Sequence, residues 1–178
     1  MISRSREYKG FISYAHADRL YFNLTHKGIS VHSRHLDISW DIWDDSQIPI
    51  GSMWHTAIQE KVKECDFSVL LISSSFLYSE YIKENELKEF ICKDYCGEFL
   101  IFPILIDPCT FYSHPEISQR QFFMSKGDEF GCPHIPDMTY ADLVRFNSDG
   151  QILPNPNRER YHIRLVESLK KSIEESLG

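Results

Sequence analysis

Nowhere in the 178-residue chain is there an unbroken apolar run of the roughly 18 residues that a membrane-spanning helix needs. A basic excess is also missing: 19 Lys and Arg stand against 26 Asp and Glu, for a net charge of −7. That balance excludes the phosphate-neutralising surface of an ordinary nucleic-acid binder and disfavours adsorption to an anionic membrane. The first ten residues, Met1 to Gly10, carry no apolar signal core. The five cysteines, Cys65, Cys92, Cys96, Cys109 and Cys132, include no CxxC pair. An odd set of thiols without a leader predicts reduced cysteines and a cytoplasmic protein. Cys92 and Cys96 would fall one turn apart on a helix, with Cys132-Pro133-His134 further on. A zinc site therefore stays open beside the reading that these thiols are buried or inert. No internal repeat, linker or low-complexity tract interrupts the chain, which predicts one domain over 1–178.

What is present is apolar and aromatic: 42% hydrophobic and 13% aromatic residues. A chain of this length buries roughly 70% of its unfolded surface. Tyr8–Tyr14 reads as a first strand, followed by a helix over about 18–33 with Asp18 at its N-cap; Gly28 weakens that helix. In the second strand, 36–44, Leu36, Ile38, Trp40 and Ile42 share one face. A Pro/Gly loop, 45–51, leads to a helix over about 52–64 with Trp54, Ala57, Ile58 and Val62 on one stripe. The run Phe67–Ile72 predicts a central parallel strand covered on both faces. A helix then continues to about Tyr95, with Leu87, Phe90 and Ile91 facing the core. The strand 99–106 contains Pro103, which predicts a sheet edge or a bulge. Residues 107–156 show little pattern beyond a strand near 133–138 and a short helix near 139–146. An amphipathic helix over 157–177 presents Leu165, Val166, Leu169, Ile173 and Leu177. Strands alternating with helices predict a flavodoxin-like α/β fold: a central parallel sheet of about five strands with helices on both faces.

The most informative stretch is Ser73–Leu87, where a buried strand empties through small polar residues into a helix bearing Glu84 and Glu86. In open α/β sheets ligands bind outside the carboxyl ends of the strands. Asp41, Asp44 and Asp45 suggest a Mg²⁺ site of the receiver type. That fold needs an acidic pair after the first strand, where Ser13-Tyr14 stands instead.

Phe11–Asp18 is similar to the FISYSHxD box of TIR domains. Ile42-Trp43-Asp44-Asp45, Ile48-Pro49-Ile50-Gly51 and Trp54 resemble that family's second strand and BB loop. Cys65–Ser73 fits its third strand, Phe76–Tyr81 with Glu86-Leu87 its next helix in bacterial members, and Pro103–Cys109 its PVxxxPC box. Five such boxes in order make the chain resemble a TIR domain of the bacterial NADase type, with the conserved boxes of nearly the whole domain covered. Phe111 and Tyr81 depart from the tryptophans that many members carry there, and 112–156 match poorly.

The resemblance implies an NAD⁺ glycohydrolase or cyclase that releases nicotinamide and yields ADP-ribose or a cyclic or conjugated form. It also implies a setting in prokaryotic anti-phage immunity, Thoeris-like or as an effector, with NAD⁺ as substrate and no further cofactor. The catalytic glutamate lies five positions after the aromatic in members with S-D-Y-x-x-x-x-E, which here is Glu86, with Glu84 as the alternative. Ser13, Tyr14, Ala15 and His16 correspond to the loop near adenosine and phosphates. Asp44, Ile48, Pro49 and Gly51 belong to the BB loop, supported by Trp54. Tyr81 corresponds to the wall beside the nicotinamide ribose, and Phe111 to a residue that stacks on the base. Without the resemblance, Glu86 reads as a solvated helix carboxylate, Trp54 as core, Tyr14 as packing and His16 as a turn residue. The implied partners are NAD⁺, further TIR copies through homotypic self-association, and a downstream effector that senses the product. Ile48 and Ile50 at an exposed loop tip support self-association. The rival readings are a non-catalytic TIR–TIR interaction module and a nucleoside N-glycosidase or deoxyribosyltransferase of similar fold.

Overall fold

The computed structural model describes residues 7–36, 38–44, 47–48, 50–130 (without the Phe130 side chain), 137–144, 155 and 157–178. Four parallel strands form the sheet: β1 (Tyr8–Ser13), β2 (Trp40–Trp43), β3 (Phe67–Ile72) and β4 (Leu100–Leu105). Their order is β2-β1-β3-β4. Between them run α1 (Arg19–His35), α2 (Trp54–Glu64), the pieces α3 (Ser74–Tyr78), α4 (Glu80–Ile82) and α5 (Lys88–Tyr95), then α6 (Pro115–Ser118), α7 (Tyr140–Leu143) and α8 (Asn157–Leu177). This is a flavodoxin-like α/β fold.

The alternation of side chains along β3 separates two cores. Phe67, Val69 and Leu71 join a cluster with α1 and α8, whereas Leu70 and Ile72 join one with α2, α3 and α5. Every β3 residue is buried, as a near-continuous apolar run on an inner parallel strand requires. Each such large side chain contributes about 1.5–3 kcal/mol on burial. Leu36, Ile38, Trp40 and Ile42 pack together against the α1/α8 core, the face their alternation predicts. Pro103 lies on β4, an edge strand of this sheet, and its carbonyl accepts from Phe123 N at 2.9 Å on the outer side.

Several expectations are corrected. Among the described residues there are four strands rather than about five. Residues 133–136 of the strand expected near 133–138 lie outside the described set, and Met138 forms only an isolated antiparallel bridge with Ser125. β2 is shorter than 36–44, because Leu36 closes α1 through bonds to the His32 and Ser33 carbonyls. Asp18 does not cap α1 with its side chain; a 3₁₀ turn, His16–Asp18, precedes the helix, and the carboxylate accepts from Ser73 Oγ at 2.5 Å instead. Gly28 sits mid-helix at a cost of about 1 kcal/mol relative to alanine. The reason is contact with α8: a Cβ there would lie 2.6 Å from the His162 ring.

The helix expected from Ser73 to Tyr95 is broken twice. Ser73 caps α3 by accepting from Phe76 N at 3.0 Å, and Ser79 restarts the helix by accepting from Ile82 N at 3.3 Å. Lys83–Leu87 then forms a turn of π-helix, in which Lys88 N bonds to Lys83 O. The wider turn places Ile82, Glu86 and Leu87 all at the buried face, at 3%, 6% and 3% exposure. Cys65 is buried, Cys109 half-buried, and Cys92 and Cys96 exposed; Cys132 lies outside the described residues.

Candidate functional site

The strand order reverses between β1 and β3, so the crevice beyond their carboxyl ends is the place where such a sheet binds ligands. A cleft of about 480 Å³ opens there. The loop after β1 supplies Tyr14, Ala15 and His16; the segment after β3 supplies Ser75, Ser79, Tyr81, Ile82 and Glu86; α2 supplies Trp54 and Ile58. Its size falls within the range of small-molecule sites, roughly 300–1,000 Å³.

Glu86 is the acidic group of this wall. Burying a carboxylate costs several kcal/mol unless it is hydrogen-bonded. Here Ser13 Oγ, at the end of β1, donates to Glu86 Oε2 at 2.5 Å. The π turn that carries Glu86 is a device found often at functional sites, because it widens one turn and re-aims a side chain. Asn85 Nδ2 donates to the Tyr81 carbonyl at 3.0 Å across the start of that turn. Glu84, by contrast, is exposed and lies 3.8 Å from Lys88, outside the cleft lining.

Aromatic rings form another part of the lining. Trp54 and Tyr81 meet with centroids 4.8 Å apart, and His16 lies 6.3 Å from Trp54. Trp54 is 39% exposed at the start of α2, so it is not a core residue. The Tyr81 hydroxyl lies 3.3 Å from His55 Nδ1. Burial, and secondarily the charge of Glu86, push the Tyr81 hydroxyl up to about 12, so it stays protonated near neutrality. Tyr14 stacks on Phe22 at 4.2 Å, and its hydroxyl accepts from Arg19 Nη1 at 3.0 Å. His16 is exposed in its 3₁₀ turn.

The structure therefore gathers Tyr14, Ala15, His16, Trp54, Tyr81 and Glu86 around one cavity, with Ser13 bonded behind it. Asp44, Ile48, Gly51 and Phe111 are not among its lining residues. Asp44 is buried, 3.6 Å from His26 Nε2. Ile48 is half-buried against the α2/α5 core rather than exposed at the loop tip, whereas Ile50 is fully exposed. Gly51 holds a left-handed φ of +88° that other residues adopt at a cost. Phe111 packs on Phe122, with centroids 4.7 Å apart. Pro49 lies outside the described residues.

Sequence reasoning missed Trp43, which lines the cleft and stacks on Phe11 at 5.3 Å, and also Ser75 and Ser79. The serine-rich run after β3 was the available signal for the last two. Among the described residues, the group with metal-ligand geometry is His32, Glu159 and His162, none of which lines this cleft.

A family model described as TIR domain matches residues 11–133. The uncharacterized protein y4lF of Sinorhizobium fredii is 30% identical over 105 residues, 59% of this chain and 32% of that protein. The chain thus spans about a third of the length of that curated relative. The crystal structure of the TIR domain of the Toll-related receptor TRR-2 from Hydra magnipapillata superposes with a TM-score of 0.43 at 18% identity, over 61% of this chain and 80% of that one. The family match extends from β1 past β4, more than half of the sequence and all four strands after the start of β1. On that match, the chain belongs to the TIR domain family.

Proposed function

We propose that this TIR domain cleaves NAD⁺ between nicotinamide and its ribose. The observation that carries the reading is a buried carboxylate, Glu86, set in the wall of a ligand-sized cleft at the switch point of the sheet. The leaving group makes one carboxylate sufficient. As the C1′–N bond breaks, its electron pair passes to the pyridinium nitrogen and nicotinamide departs neutral, without a general acid. Positive charge develops on the sugar, as in glycoside hydrolysis. Glu86, oriented by Ser13, stabilises that charge and holds the ribose hydroxyls. Water then bonds to C1′ and releases a proton, giving ADP-ribose; an internal adenine nitrogen or an acceptor hydroxyl in place of water gives a cyclic or conjugated product.

Trp54 and Tyr81 are assigned to the flat faces of the nicotinamide end, and the Ser75 and Ser79 hydroxyls to polar groups of the substrate. Tyr14, Ala15 and His16 are assigned to the path toward the phosphates, with Ser13 buried behind them. Asp44, Ile48, Pro49, Gly51 and Phe111 are assigned to the adenine half or to a neighbouring copy that completes the site. Self-association is supported by Ile50 and Met53, 107% and 77% exposed before α2. The wider setting we propose is prokaryotic anti-phage defence, with the product read by a separate effector.

The test incubates concentrated protein with NAD⁺ and resolves the products by chromatography and mass spectrometry. Nicotinamide release that rises more than linearly with protein concentration, and vanishes in Glu86→Ala but not in Glu84→Ala, is the expected result. The same exposed Ile50 and Met53 favour a second reading, a non-catalytic TIR–TIR docking module. Self-association without nicotinamide release at any concentration selects it.

A further inference from the structure

On the other side of the sheet, α1 and α8 pack across a second, smaller cleft of about 190 Å³. His32 reaches it from α1, and Glu159 and His162 reach it from the first turns of α8. Spaced three apart, Glu159 and His162 share one helix face. One ligand atom from each of the three residues lies within 4.8 Å of the others. His32 Nε2 is 3.2 Å from Glu159 Oε2.

An ion pair between His32 and Glu159 accounts for two of these groups, but not for the third. His162 is 3% exposed, and its ring is fixed on two sides. Its Nε2 lies 2.6 Å from the hydroxyl of Tyr140, itself fully buried and stacked on Tyr161 at 4.8 Å. Its flat side rests on Gly28, where any Cβ would collide with the ring, and Gly28 stands one turn before His32 on α1. Metal-binding histidines are built in this way: one ring nitrogen is held by an outer partner, which fixes the tautomer and leaves the other nitrogen to the ion. Tyr140 fills that place when its oxygen accepts from Nε2–H, the tautomer that leaves Nδ1 to the ion, and the mid-helix glycine makes the room.

We propose that His32, Glu159 and His162 form a binding site for a divalent transition metal, zinc above all, that clamps α1 to α8. Two imidazoles and one carboxylate are a recurrent zinc ligand set, and the open cleft leaves the fourth position to water. Bond lengths of roughly 2.0–2.2 Å put tetrahedral ligand atoms about 3.3–3.6 Å apart; the His32–Glu159 pair already stands at 3.2 Å, so the closure still needed is toward His162. Glu159, the exposed member, can make most of that movement by side-chain rotation. Arg158 Nη2 stands 3.5 Å from the other oxygen of Glu159, and its guanidinium competes with the ion for that carboxylate. The site shares no residue with the switch-point cleft, so it stands independently of NAD⁺ cleavage.

The test titrates zinc into chelator-stripped full-length protein by calorimetry, with thermal unfolding in parallel and cobalt(II) absorption as the report on ligands. One equivalent of zinc is expected to bind and to raise the unfolding temperature. Cobalt should show tetrahedral nitrogen/oxygen bands without thiolate charge transfer. His32→Ala and Glu159→Gln should each weaken that equivalent by more than ~10–100-fold, the cost of losing even an outer partner. Arg158→Gln should tighten it. Three results overturn the site: no stoichiometric uptake, uptake that survives both ligand substitutions, or thiolate bands that assign the ion to the cysteines. Each of these variants alters the helix surface, and Glu159→Gln, at an exposed position, keeps the test open should His32→Ala fold poorly.

Discussion

Two serine–carboxylate couples cross the carboxyl end of the sheet, and they are mirror images in the chain. Ser13 ends β1 and donates to Glu86, beyond β3; Ser73 follows β3 and donates to Asp18, beyond β1. Both bonds are 2.5 Å long, and both carboxylates are nearly buried, at 6% and 9% exposure. Their surroundings separate them. Ser73 also caps α3 through Phe76 N, and Asp18 lies outside the cleft lining. Glu86 sits on a widened helical turn and faces a cavity. The same bond is thus a girder in one place and an aiming device in the other, and the cavity, not the bond, makes the difference.

The sharpest way to break that contrast is to remove the two charges with isosteric amides. Glu86→Gln should lower nicotinamide release by roughly 10²–10³-fold or more, the scale of losing one transition-state contact, and leave the unfolding midpoint unchanged or higher. Asp18→Asn should retain activity per folded molecule, with a midpoint near neutral pH that is likewise unchanged or higher, because burial disfavours the Asp18 charge. If the two variants lose activity alike, the division between girder and aiming device is wrong.

The hydroxyls give a smaller effect with the same asymmetry. Ser73→Ala removes an N-cap, worth about 1 kcal/mol, and strips a buried carboxylate of a partner, worth about 1–3 kcal/mol more. Ser13→Ala removes one bond of equal length, but water from the cleft can replace it, so the stability cost should be about 1 kcal/mol or less. Its signature should be a reduced kcat at unchanged KM. Equal destabilisation of both variants in urea would show that the cleft does not hydrate Glu86.

The pH dependence should sharpen the comparison further. Burial, opposed by the Ser73 bond and assisted by the Asp107 charge, raises the Asp18 carboxyl above its ordinary value. At pH values below the ordinary one, folded and unfolded chains both hold the proton. As pH rises, the unfolded chain releases it first, and the folded chain holds more protons across the window up to the raised value. Stability from this group is therefore full below the ordinary value and is lost as pH rises through the folded one. Asp107, also raised by burial, adds to the same slope. Subtracting the stability–pH curve of Asp18→Asn from that of the parent chain should give a difference that declines with pH over that window and is flat above it. A difference of opposite slope would mean that the Ser73 bond outweighs burial.

How far these features were legible depends on their range along the chain. β3, β4 and α8 follow from uninterrupted apolar patterns, and the observed bounds differ from the expected ones by at most a residue at each end. Strand–helix alternation led to the parallel sheet. Glu86 was singled out by the resemblance to the TIR motif, which sets its offset from Tyr81, a local relation. Its partner Ser13 lies 73 positions away, and no pattern in either segment announces the pairing. The π turn was invisible for another reason: Ile82, Glu86, Leu87 and Phe90 fit an ordinary helix nearly as well, and only the capping serine at 79 hinted at a break. Gly28 looked like a weakness of α1 until the His162 ring was found against it. Ile48 looked like an exposed loop residue because polarity and turn residues report the loop, not which of its side chains folds back onto the core.

The smallest expected effect concerns the two glutamates within that π turn. Glu84 and Glu86 share charge, chain length and backbone geometry, and differ by which side of the turn they occupy. Glu84 is 66% exposed and its partner Lys88 is 77% exposed, at 3.8 Å. Such a pair contributes between about 0 and 0.5 kcal/mol in a helix. Glu84→Gln should therefore shift the unfolding midpoint within experimental scatter and leave nicotinamide release intact, at low and high salt alike. A loss of activity in Glu84→Gln comparable to that of Glu86→Gln would mean that the turn re-registers when substrate binds. The ordinary α-helical phase would then be restored, and the second carboxylate would be carried toward the cleft.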